Sequence, residues 1–218
     1  MKSSGKTGKT LVQCDFDGTI TEEDVSFLLL DSFADRDWRQ LFRIYQQGGM
    51  SVGRFNQEAF AMVRASRESL LKVARADARI RAGFGEFVDF CNQKDFRLVV
   101  VSNGLDFYIK ELLNLIGMGG IEVLAARTHF HPEGLDVRYI GPFGNPVDDE
   151  FKKAYTESFL KEGYQVVYIG NGISDVSPAR ECHYVFATGD MLARFRELNL
   201  DCVPFTTFRT VTKSLQSR

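Results

Sequence analysis

The chain has 218 residues, 44% hydrophobic and 26% charged, the balance of an ordinary globular protein with one sizeable core. A formal net charge of −2 excludes the basic field that nucleic-acid binding needs. No apolar run reaches the length of a membrane span, and none reads as a signal-peptide core.

Four cysteines, Cys14, Cys91, Cys182 and Cys202, are scattered without Cys-x-x-Cys spacing. They suit reduced thiols and a cytoplasmic location rather than a disulfide frame or a zinc site. Met1 to Thr10 is rich in Lys, Ser, Gly and Thr and is expected to be flexible. Gly8-Lys9-Thr10 imitates the end of a P-loop, but the glycine such a loop requires is Ser3, and the segment precedes the first strand instead of following it.

Leu11-Val12-Gln13-Cys14 is a short apolar run that ends in Asp15-Phe16-Asp17-Gly18-Thr19. This predicts a buried strand followed by a turn carrying two carboxylates at i and i+2, on one side of the chain. Two acids so close need a cation or a proton to coexist; an ordinary solvated Asp-Gly turn is the plainer alternative. Helical periodicity follows to about residue 82. Thr21 before Glu22, Glu23 and Asp24 predicts a helix start. Phe27 to Phe33, Trp38 to Tyr45, Phe55 to Val63 and Leu70 to Ala74 then read as four helices of a small inserted bundle, with the aromatic residues in its core.

Strand and helix alternate from there. Phe84 to Cys91 is helical; Arg97 to Ser102 is a strand ending at Asn103-Gly104; Leu105 to Ile116 is helical; Ile121 to Ala125 is a short strand. Residues 128–144 predict a hairpin turning at Pro132-Glu133-Gly134. Phe151 to Leu160 is helical. Gln165 to Ile169 is a strand ending at Gly170-Asn171-Gly172, and Val185 to Ala187 and Cys202 to Phe205 close the series around a helix. The alternation implies an α/β fold with a Rossmann-like three-layer core and parallel sheet over residues 11–19 and 83–218, interrupted by helices over 20–82.

In such a sheet the strand ends converge on one edge. There they bring together Asp15 and Asp17; Ser102, Asn103 and Gly104; Asn171 and Asp175; and a lysine at 152 or 153. Carboxylates for a hard cation, and hydroxyl, N–H and ammonium donors for phosphate oxygens, suit a phosphoryl group beside Mg²⁺. Lys152 is favoured over Lys153 because Tyr155, Phe159 and Leu160 fall on nearby helix positions, which turns its face inward.

The order DxDGT, S-N-G, Lys, G-N-G-x-x-D resembles the haloacid dehalogenase superfamily over nearly the whole chain from Leu11, and the helical insert after the first motif is similar to the small cap of its phosphoserine phosphatase branch. The resemblance implies Asp15 as nucleophile, Asp17 as acid and base, Lys152 as the charge-neutralising group, and Ser102 with the N–H groups of Asn103 and Gly104 as the phosphoryl site. It implies Mg²⁺ on Asp15, the carbonyl of Asp17, Asn171 and Asp175. Asn171 departs from the family, which commonly carries an acid there, so weaker metal binding is expected. Asp24 is either a cap-side substrate residue or a helix N-terminal acid.

D-G-T-I-T-x-x-D, the run Arg81 to Phe90 and S-N-G-x-D-F look most like the methionine-salvage branch. A small phosphorylated metabolite is therefore the expected partner, with phosphoserine hydrolysis, phosphoryl transfer to another acceptor, and non-catalytic binding as alternatives. Arg54 is a candidate for a substrate anion, though an exposed helix arginine is commoner. His129 and His131 read as strand or turn residues and His183 as structural. No sequence signal bears on oligomeric state.

Overall fold

The computed structural model describes residues 9–217. The flexibility expected of Met1 to Thr10 falls outside these residues up to position 8. Thr10 itself already opens β1 (Thr10–Cys14), and the Lys9 carbonyl accepts from Gln165 N–H at 2.9 Å.

β1 sits at the centre of a seven-stranded sheet of order β4-β3-β2-β1-β5-β6-β7. Its neighbours are β2 (Arg97–Leu105) and β5 (Gln165–Gly170), both parallel to it; β3 (Glu122–His131) pairs parallel with β2, β6 (Tyr184–Ala187) with β5, and β7 (Val203–Pro204) with β6. β4 (Gly134–Arg138) alone of these strands runs antiparallel, against β3. A central strand covered on both faces must be apolar throughout. Leu11, Val12 and Cys14 are fully buried, and so is Gln13, whose amide therefore needs internal partners.

Right-handed crossovers set α5 (Phe84–Gln93) and α6 (Asp106–Leu115) on one face, and α7 (Phe151–Lys161), α8 (Val176–Ala179) and α9 (Gly189–Glu197) on the other. Tyr168, Ala179, Val185, Ala187, Met191 and Phe195 form a separate apolar cluster under α8 and α9, as a three-layer core requires. α10 (Phe208–Gln216), which the sequence reading missed, docks its buried Phe208 on Phe84 and Phe87 of α5, with ring centroids 5.0 and 5.2 Å apart.

Between β1 and α5 come α1 (Val25–Phe33), α2 (Arg39–Gln46), α3 (Val52–Phe60) and α4 (Arg67–Asp77). The two chain passages into this insert lie antiparallel: Arg81 N donates to Ile20 O at 2.7 Å and Glu22 N to Arg79 O at 2.9 Å, around a bridge of Thr21 with Ile80. That pairing corrects the expected helix start. Thr21 is extended, its hydroxyl bonded to the Phe16 and Glu23 carbonyls, and Asp24 caps α1 by accepting from Phe27 N–H at 3.0 Å. The third strand also runs further than expected, because Glu122–His131 continues without a break into the hairpin with β4. α2 is the most lightly held helix of the insert and buries no residue fully.

Candidate functional site

The turn after β1 is built on one acceptor: the N–H groups of Thr19, Ile20 and Thr21 all point at Phe16 O. Gly18 makes the turn possible. Its φ is +70°, and a side-chain carbon there would collide with the Asn171 amide, which lies against it. Arg81 grips the outside of the same turn, donating to the carbonyls of Gly18 and Thr19 at 2.7 Å each. The carboxylates of Asp15 and Asp17 are thus fixed by a rigid backbone just beyond the central strand.

Asp15 is 4% exposed and one of its oxygens lies 2.8 Å from Lys152 Nζ. The same ammonium meets Asp175 Oδ1 at 2.6 Å. Of the two lysines considered, Lys152 is the buried one; Lys153 is a third exposed and sits 3.8 Å from Glu150 and from Glu181. Lys152 is held from behind by the buried glutamine of β1. Gln13 Nε2 donates to the Lys152 carbonyl at 3.1 Å and Gln13 Oε1 accepts from Thr156 Oγ1 at 2.8 Å, locking the first turn of α7 to the central strand. Burial works to lower the lysine's pKa, but Asp15 and Asp175 outweigh it and keep the group charged.

Asp175 has no free oxygen. Oδ1 accepts from Lys152 Nζ and from Tyr168 Oη at 2.7 Å, and Oδ2 accepts from Asn171 N at 3.1 Å and Gly172 N at 2.9 Å. It is completely buried and pins the Gly170-Asn171-Gly172 loop to the ammonium. All four of its bonds go to protein donors. Asn171 does face the acids, with Oδ1 accepting from Thr19 Oγ1 at 2.9 Å, and Thr19 Oγ1 also reaches Asp15 at 3.3 Å.

Burial, reinforced by the charge of Asp175, raises the Asp15 pKa to about 7. Burial, then the charge of Asp24, pushes Asp17 well above the usual carboxylate range, and burial raises Asp24 to about 6. Asp15 and Asp175 flank the one buried ammonium, and Asp17 and Asp24 line the same cavity; a divalent cation there would favour the charged forms of these raised acids. Among the described residues no group of three His, Cys, Asp or Glu forms a ready metal cage. Asp15 and Asn171 Oδ1 nevertheless offer hard oxygens of the kind Mg²⁺ takes, beside waters and the oxygens of a phosphate.

Ser102, 1% exposed, ends the apolar part of β2 and accepts from Gly104 N–H at 3.0 Å. Ser102 Oγ thus engages the Gly104 N–H, which leaves the Ser102 proton free to donate. The Asn103 carbonyl is turned away to Tyr139 Oη at 2.5 Å and Asn56 Nδ2 at 2.9 Å. Asn56 is buried on α3, so the insert is tied directly to the loop at Ser102 to Gly104.

Asp15, Asp17, Asp24, Ser102, Lys152 and Asn171 open into one cavity of about 1000 Å³, which Phe27, Phe42, Tyr45, Met50 and Phe55 of the insert also line. The aromatic residues do make the insert's core, as expected, with Phe42 5.6 Å from Phe55 and Tyr45 stacked on Phe55 at 5.8 Å; the same rings also line the cavity. Asp24 takes the anticipated place at a helix N-terminus, capping α1, and lines the cavity. Arg54 does not reach it: its guanidinium is exposed and pairs with Glu58 at 2.7 Å. His183 Nδ1 accepts from Val166 N–H at 3.2 Å, a structural use.

Residues 12–180 match the haloacid dehalogenase-like hydrolase family. A 2-hydroxy-3-keto-5-methylthiopentenyl-1-phosphate phosphatase from Geobacillus kaustophilus (strain HTA426) is 32% identical over 96% of this chain and 97% of its own length. The protein of the same name from Geobacillus thermodenitrificans (strain NG80-2) is 30% identical over 93% and 94%. Among solved structures, a phospho-aspartyl intermediate analogue of phosphoserine phosphatase superposes with a TM-score of 0.72 over 95% of this chain and 99% of that one, at 17% identity. A substrate-bound phosphoserine phosphatase gives 0.70 over 94% and 98%, at 16% identity. At such identities the structural likeness speaks for the fold alone. The chain belongs to the haloacid dehalogenase-like hydrolase family, among its phosphatases.

Proposed function

We propose that the protein is a Mg²⁺-dependent phosphatase that hydrolyses a small phosphate monoester with an uncharged, apolar tail, through a phosphate ester on Asp15. The observation that carries this reading is one cavity lined both by carboxylates, a buried ammonium and a serine of the core and by aromatic rings and Met50 of the insert. Residues 20–82 would act as a cap that shields the reaction from water and selects the tail.

An Asp15 oxygen attacks phosphorus as the ester oxygen leaves, and Asp17 supplies the proton that oxygen takes up. Asp17 then accepts a proton from a water that attacks the same phosphorus, freeing phosphate and restoring the Asp15 carboxylate. Lys152 offsets the charge of nucleophile and phosphoryl group, and the Ser102 hydroxyl donates to a phosphoryl oxygen. Asp15, the Asp17 carbonyl and Asn171 would hold Mg²⁺, whose charge offsets that of the phosphoryl oxygens.

The methylthio tail in the relatives' name suits the insert's side chains in this cavity, since a thioether packs well on aromatic rings. Phosphoserine suits it less. Among the described residues no arginine lines the cavity to meet an amino acid's carboxylate, and Lys153 lies beside two glutamates. A cytoplasmic location is consistent with cysteines that carry no disulfide; no described helix is long and apolar enough to cross a membrane.

Phosphate release from a panel of esters, with and without Mg²⁺, tests the reading. Release from thioether and alkyl phosphates ahead of phosphoserine, lost in Asp15→Asn, is expected. Phosphoserine as the best substrate would overturn the assignment of the tail. Binding without release would favour a non-catalytic module.

A further inference from the structure

Tyr108 is fully buried in the first turn of α6, and a buried phenol normally finds a partner for its hydroxyl. Here it has two. Its Oη lies 2.5 Å from Asp17 Oδ2 and 2.8 Å from Oγ of Ser26, itself buried in the first turn of α1. The other Asp17 oxygen, Oδ1, accepts from Val25 N–H at 3.0 Å. Gly104 completes the arrangement: a side-chain carbon there would overlap both Tyr108 Oη and Asp17 Oδ2.

Tyr108 Oη donates its proton to Asp17 Oδ2, so in the second bond the Ser26 hydroxyl donates to Tyr108 Oη. Each Asp17 oxygen then has one lone pair filled by a protein donor. The lone pairs that remain, and any proton on them, are left to the cavity. We propose that Tyr108 and Ser26 are positioning residues that hold the Asp17 carboxyl in the orientation from which it serves the leaving oxygen.

This inference rests on the reading of Asp17 as the leaving-group acid. It adds a link between the two parts of the chain. Tyr108 comes from the core, whereas Ser26 and the Val25 N–H come from the insert, so the carboxyl is held on both sides only while α1 lies against the core.

The test compares kcat/KM for two esters, n-butyl phosphate and 4-nitrophenyl phosphate, with Mg²⁺ present, in the native protein and in Tyr108→Phe, Ser26→Ala and Asp17→Asn. The butyl leaving group needs a proton and the nitrophenyl group hardly does. General-acid catalysis contributes about 10²–10⁴-fold, and a loosened acid forfeits part of that. Tyr108→Phe should therefore lower kcat/KM for the butyl ester about 10–100-fold and for the aryl ester by less than about threefold. Ser26→Ala should show the same selectivity to a smaller degree, and it reports even if Tyr108→Phe folds poorly. A structural defect would lower both esters alike. Selective loss in Asp17→Asn with equal losses in Tyr108→Phe and Ser26→Ala would overturn the positioning role alone. Equal losses in Asp17→Asn would overturn the reading of Asp17 and this inference with it.

Discussion

Asp175→Asn separates two roles that a buried acid beside a cation site can play. The carboxylate accepts four bonds, from Lys152 Nζ, Tyr168 Oη and the N–H groups of Asn171 and Gly172, and all four partners are donors. A carboxamide keeps one acceptor oxygen and aims its NH₂ at two of those donors, whichever way it turns. Lys152, itself buried, would also lose one of its two carboxylate partners. Removing one member of a buried pair costs about 3–5 kcal/mol. For a domain of this size that corresponds to a fall in Tm of about 6–20 °C.

The assay is thermal denaturation of the metal-free protein, followed by circular dichroism. The sign of the change decides. Had Asp175 served mainly as a metal ligand, its charge would be a liability without metal, crowded against Asp15, and its removal would raise the Tm of the metal-free protein. A Tm unchanged or raised in Asp175→Asn would refute the positioning role and return Asp175 to the metal site.

Gly104→Ala should cost at least about 100-fold in activity, because the added carbon displaces Asp17, while overpacking lowers stability by only about 1–3 kcal/mol; a variant with near-native turnover would contradict this. Asp15 and Asp24, raised to about 7 and about 6, favour the protonated form in the fold. Their stabilising effect is complete below the unfolded value of about 4 and is lost as pH rises through 6 and 7. The metal-free protein should accordingly lose Tm between pH 5 and 8, less steeply in Asp24→Asn, and a rising Tm would contradict the assignment. Asn171→Asp adds a charged oxygen beside Asp15, so half-maximal phosphate release should need several-fold less Mg²⁺; an unchanged requirement would remove Asn171 from the cation site.

The core was legible because each strand announces itself twice, by an apolar run and by the small polar residues that end it. Asp15, Ser102 and Asn171 could be placed on one edge from that pattern alone, since parallel strands deliver their ends together. Helix boundaries were less legible. Thr21 followed by acids has the chemistry of a cap, yet pairing of the chain at Ile80 holds it extended and passes the cap to Asp24.

What the sequence hid are the residues whose roles depend on long-range contacts. Tyr108, Ser26 and Asn56 carry no motif, and only the fold brings Tyr108 to Asp17, Ser26 to Tyr108 and Asn56 to Asn103. Gln13 offered a signal, as the polar residue set within the apolar run Leu11 to Cys14. Its amide could have been read as a demand for buried partners, which Thr156 and the Lys152 carbonyl supply. The bonds of Asp175 to Tyr168 and Lys152 were equally invisible. Spacing brings Asp175 to the site but does not say which way its oxygens turn.

The most direct measurement is a rapid acid quench during turnover of an alkyl phosphate with Mg²⁺, followed by mass spectrometry of the peptides. The account predicts a phosphoryl group on the peptide carrying Asp15 in the native protein, and none in Asp15→Asn. Sustained phosphate release with no phosphorylated peptide, or with the group on another residue, would contradict it.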